Sequence, residues 1–153
     1  MVNIGLNILL LFLVISCGLV RVLPYHNNID KRAKPYAEEF VAMSNGMLDR
    51  KDLEGVSIRI TDIDEVWAKG DAGICWWTLD GNEIEISEEY WRNKSDIERM
   101  SLIFHELGHC VCYRMHPIFT ETFSTGCPKT LMNPFVLSGY CIKYHYKSYI
   151  KEM

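Results

Sequence analysis

No block of basic residues occurs anywhere in the 153-residue sequence. The lysines and arginines are dispersed among a slight excess of acids, for a net charge of -4. That distribution argues against nucleic acid as a partner, which would require a concentrated cationic footprint. Internal repeats and low-complexity stretches are also missing, so solenoid and linker architectures drop out. The chain is too short for two sizeable domains and long enough for one with a proper hydrophobic core. Its apolar share of 48% and charged share of 24% are those of an ordinary globular protein.

Lysine and arginine are likewise missing before Arg21. From Ile4 to Val20 the residues are almost all apolar, with Asn7 and Ser16 as polar interruptions. Such a stretch is a signal peptide or a short membrane anchor. Val14-Ile15-Ser16-Cys17 resembles a bacterial lipobox, which would make Cys17 a lipidation site after cleavage. An uncleaved anchor is the alternative, given the uncharged start. Either way the domain is expected outside the cytoplasm or at a membrane surface, held there by lipid or anchor. Residues 1–17 are thus expected as leader, 18–34 as a tether that includes His26, and 35–153 as the folded domain. Too few residues separate leader from first helix for a folded pro-domain. Beyond Cys17 five cysteines remain, enough for two disulfides and a free thiol in an exported protein.

The apolar pattern predicts an α+β domain. Tyr36, Phe40, Met43 and Met47 recur at helical spacing over Pro35–Leu48. Val56, Ile58 and Ile60 alternate with polar residues as in a half-buried strand. A second strand over 72–79 stops at the Asp80-Gly81-Asn82 turn signal. Glu83-Ile84-Glu85-Ile86-Ser87 alternates cleanly, and its charges suit an edge strand. Tyr90 and Trp91 are expected to close over the core, and Trp76 and Trp77 to serve as core and rim. Ser95-Asp96-Ile97-Glu98 has the form of a capping box, opening a helix expected to run to about Tyr113. An irregular segment follows to Ser138, which caps a last helix containing His145.

The chemistry lies in His105-Glu106-Leu107-Gly108-His109. Histidines four residues apart share one helical face, so both rings reach a single ion. Met100, Ile103, Leu107, Cys110 and Val111 fall on the opposite side and would pack against the core. Glu106 sits beside the ligand face, placed to take a proton from a metal-bound water. Three protein ligands and an open water position define a hydrolytic zinc site, and His116 is the candidate third ligand. On an unbroken helix His116 would lie about 10 Å along the axis from His109. The chain must therefore bend back after Cys112, as Pro117 favours. Glu121 is the substitute ligand, and Cys112 a more remote one.

These motifs resemble those of zincin peptidases, and specifically of the metzincin clan. Thr130-Leu131-Met132-Asn133-Pro134 is similar to the Met-turn, whose methionine (here Met132) lies beneath the zinc-binding histidines. More narrowly, the segments 72–75, 102–110 and 128–134 are similar to small metallopeptidases of bacteria and their phages, often predicted lipoproteins. The resemblance implies a zincin-like α+β fold with a small mixed sheet packed on the active-site helix and a C-terminal helix after the Met-turn. It implies a catalytic Zn2+ and a peptide or protein substrate, paired as an added strand with an edge at Ile84–Ser87. In the same frame Cys75 and Cys110 would form a disulfide joining the sheet to the back of the metal helix, the alternative being unpaired cysteines. Two departures stand out: six residues separate His109 from His116 where metzincins have five, and Cys112 occupies the place of their turning glycine. Phe135 stands after the Met-turn where some relatives have tyrosine.

The expected function is a zinc endopeptidase with Glu106 as general base. A metal-binding or adhesion lipoprotein without turnover, and a zinc amidase acting on cell-wall material, are the rival readings.

Overall fold

The computed structural model describes residues 28–63 and 72–152. The expected leader, Cys17, His26 and most of the expected tether lie outside those residues. No described helix is long and apolar enough to cross a membrane.

The fold is mixed α+β, with helices packed against a three-stranded sheet. Helix α1 (Lys34–Met43) starts with Pro35 in its first turn and buries Ala37 and Phe40. It ends earlier than the apolar spacing predicts, because Asn45 and Gly46 both take positive φ and turn the chain. Met47 is consequently off the helix and 70% exposed. A 3-10 turn (Arg50–Leu53) leads into strand β1 (Val56–Thr61), followed by β2 (Gly73–Trp77) and β3 (Asn82–Ser87). Helices α2 (Glu88–Asn93), α3 (Asp96–Cys110) and α4 (Gly139–Glu152) complete the chain.

The strand order is β1-β3-β2, with β3 parallel to β1 and antiparallel to β2. The expectation that Ile84–Ser87 forms an edge is therefore wrong: β3 is the central strand. Its glutamates are buried because Arg59 on β1 neutralises both, with Nε 2.5 Å from Glu83 Oε1 and Nη2 2.6 Å from Glu85 Oε1. Trp76 on β2 adds an indole N–H donated to Glu85 at 3.0 Å. Both β2 and β3 pack against α3, β2 more extensively.

The opposite sheet face, carrying Val56, Ile58, Ile84 and Ile86, packs on the helices. Phe40 of α1 meets Phe104 of α3 edge to face, ring centroids 5.4 Å apart. Ahead of α1, Ile29 bridges to Ile58 in parallel, and Ala33 is fully buried. Helix α3 begins at the expected capping box, the Glu98 carboxylate accepting from Ser95 N–H at 3.1 Å and from its hydroxyl at 2.6 Å. Ser138 opens α4, its hydroxyl accepting from Cys141 N–H at 3.3 Å. Two disulfides, Cys75–Cys110 and Cys127–Cys141, tie β2 to α3 and the irregular segment to α4.

Candidate metal centre

Helix α3 stops at Cys110, three residues short of the predicted end, and the chain then reverses without glycine. Tyr113 adopts a left-handed conformation, φ 53°. The last turn is widened: Cys112 N–H reaches back five residues to Leu107 at 3.4 Å, and Arg114 N–H six residues to Gly108 at 2.9 Å. Asn82 closes the helix end from β3, its amide donating to the Cys110 carbonyl at 2.6 Å. This reversal absorbs the six residues after His109 and returns His116 to the ligand face of α3.

Three imidazoles converge there. Nε2 of His105 lies 3.1 Å from Nε2 of His109, and Nε2 of His116 lies 3.1 and 3.0 Å from those two. The far side of two rings is fixed: His105 Nδ1 is 2.8 Å from the Leu131 carbonyl, and His109 Nδ1 is 2.5 Å from the Arg114 carbonyl. A carbonyl only accepts, so each Nδ1 carries the proton and each Nε2 presents a lone pair. Burial pushes the His105 pKa down to about 4, against the opposing effect of its bond to Leu131. Burial also lowers His109 and His116. Near neutral pH the lone pairs of His105 and His109 thus face each other with no proton between them, a repulsive arrangement that a shared cation resolves. Separations near 3 Å suit nitrogen ligands bound at about 2.0–2.1 Å to one ion. By donor chemistry and spacing, the cluster fits a divalent metal.

Glu106, 3% exposed, stands beside this cluster. Strand β2 passes so close that a Cβ on Gly73 would lie 2.9 Å from Glu106 Oε1 and 2.9 Å from Ile86 Cδ1. Below the helix, Met132 is buried, and a Cβ on Gly108 would lie 2.7 Å from its Sδ. Both glycines admit a neighbour that any side chain would displace. The histidines and Glu106 open into a cavity of about 570 Å³, whose other walls include Ile74, Tyr90, Leu102, Phe135 and Leu137.

The remaining candidates lie elsewhere. Glu121 is exposed, its carboxylate 3.1 Å from Lys129 Nζ, and it is not in the cluster. Cys112 is a half-buried free thiol raised by burial, packed at the edge of the core. His145, at a break in α4, stacks on Phe123 of the preceding irregular segment, ring centroids 3.8 Å apart. Trp76 is core and Trp77 lines the cavity. Sequence reasoning missed the carbonyls of Leu131 and Arg114, since a backbone acceptor leaves no trace in residue identity. Gly73 and Gly108 did leave one: glycine inside a strand or helix signals close approach.

Residues 18–134 match the family model described as Putative phage metallopeptidase, a span containing the three histidines, Glu106 and Met132. No curated protein and no solved structure matches.

Proposed function

This chain belongs to the phage metallopeptidase family, and from that premise we propose that it is a zinc-dependent endopeptidase with Glu106 as its general base. The observation carrying this reading is the convergence of three imidazole nitrogens at 3.0–3.1 Å beside a buried carboxylate at a cavity wall.

His105, His109 and His116 would hold the ion through Nε2, with the Leu131 and Arg114 carbonyls orienting the first two rings. A zinc ion held there would supply Lewis acidity, able to activate water and to polarise a scissile carbonyl. Glu106 takes the proton of the attacking water and passes it to the departing amine. Strand β2 offers the peptide an edge: its partner is β3 on one side, and Gly73, Ile74 and Cys75 border the cavity. A substrate adding to β2 as a further strand would lie along the metal helix, within reach of Glu106. The metzincin-like character of the site draws support from Met132 under Gly108.

The test is cleavage of a peptide library by the metal-loaded chain, compared with Glu106→Gln. The variant should keep its metal while turnover falls by about 10²–10⁴-fold, the usual contribution of a positioned base. Undiminished turnover would refute the mechanism. A wild-type chain that binds metal and cleaves no peptide would favour a non-catalytic metal protein or an amidase.

A further inference from the structure

Glu152, in the last turn of α4, does not border the cavity, yet it contacts both chain segments that orient the metal histidines. Its Oε2 accepts the Leu131 N–H at 2.8 Å, and its Oε1 accepts the Thr130 hydroxyl. The same Oε1 is ion-paired with the Arg114 guanidinium, and Arg114 Nη1 donates to the Glu152 main-chain carbonyl at 3.4 Å. Leu131 is the residue whose carbonyl holds His105, and Arg114 the residue whose carbonyl holds His109.

We propose that Glu152 is a positioning residue for the metal centre: one carboxylate locks together the two backbone segments that set the orientation of His105 and His109. The inference rests on the metal-centre reading above. Its physical basis is that the two carbonyls come from stretches of chain with no regular pairing of their own. The segment at 114 follows the strained reversal at Tyr113, and the segment at 131 belongs to an irregular turn. Charge-assisted hydrogen bonds are about twice as strong as neutral ones, so a carboxylate is an effective clamp on both. Glu152 is carried by the half of α4 that follows a break at His145 (φ -112°), and that half is anchored by Tyr149, which is buried and donates its hydroxyl to the Pro128 carbonyl at 2.6 Å. The half before the break is anchored separately, by buried Ile142 and the Cys127–Cys141 disulfide. Through Glu152 the far end of the chain fixes ring geometry at the site without touching ion or substrate.

The test uses the full chain stripped of metal and titrated with Co2+, following its visible absorption, for wild type, Glu152→Ala and Glu152→Gln. Loss of groups that orient ligands costs about 10–100-fold in metal affinity. Glu152→Ala should weaken Co2+ binding by that factor and alter the absorption spectrum. Glu152→Gln keeps an oxygen for the Leu131 N–H and should recover part of the loss. Thermal unfolding of each metal-free chain separates orientation from stability. Wild-type affinity and spectrum in Glu152→Ala, or a lowered unfolding temperature with unchanged Co2+ affinity in both variants, would overturn the proposal. A wild-type chain that takes up no Co2+ would overturn the metal-centre reading itself, an outcome distinct from these.

Discussion

Gly108 lies inside α3, where exchange for alanine ordinarily stabilises a helix by about 1 kcal/mol. Here the added methyl would meet Met132 Sδ at 2.7 Å, and Met132 is 1% exposed, with little space to retreat. Overpacking a core costs about 1–3 kcal/mol, so the clash should outweigh the helix propensity. Gly108→Ala is therefore expected to lower the unfolding temperature; a rise would mean that Met132 moves aside without cost. The Met132 segment was legible only through the resemblance of Thr130-Leu131-Met132-Asn133-Pro134 to a Met-turn; its contact with Gly108, 24 residues earlier, is a tertiary feature that the sequence did not announce. The Leu131 carbonyl that holds His105 is one residue away and gave no signal either.

At the scale of elements, α3 was readable because its determinants are local. The Ser95–Glu98 box starts it, and Ile103 and Leu107 mark its packed side. Leu102 and Phe104 are buried as well, because α1, β2, β3 and α4 all contact this helix, which periodicity alone does not reveal. Strand β3 was misread for the opposite reason. Its glutamates look solvated until Arg59, 26 residues from Glu85, is seen to neutralise them. The reversal after α3 was legible as a necessity and not as a geometry: nothing in Tyr113 announces a left-handed residue. The Cys75–Cys110 disulfide links two of these elements, β2 and α3, across 35 residues of sequence. Constraining a loop of that length in the unfolded chain contributes about 2–4 kcal/mol. Replacing both cysteines by serine should lower the denaturant midpoint accordingly, and an unchanged midpoint would show that β2 is held by the sheet alone.

For the whole molecule, the partly buried His105 and His109 make stability depend on acid. His105 has its pKa lowered to about 4 in the folded chain, while in the unfolded chain it titrates near 6.5. The unfolded state therefore binds more protons between those values, and stability must fall as pH falls through that window. His109 and His116 shift in the same direction. The metal-free protein should be most stable above pH 6.5 and lose stability progressively toward pH 4, as followed by thermal unfolding. A flat profile would contradict the desolvation of His105 and His109. Added metal should raise the unfolding temperature at neutral pH by mass action, since the ion binds the folded cluster. The central claim is that His105, His109 and His116 form one metal centre, and metal content per chain tests it most directly. Elemental analysis of the purified wild type should find one zinc ion per chain, and His116→Ala prepared identically should retain far less. Equal metal in both proteins would contradict the account, because the third ligand would then lie elsewhere.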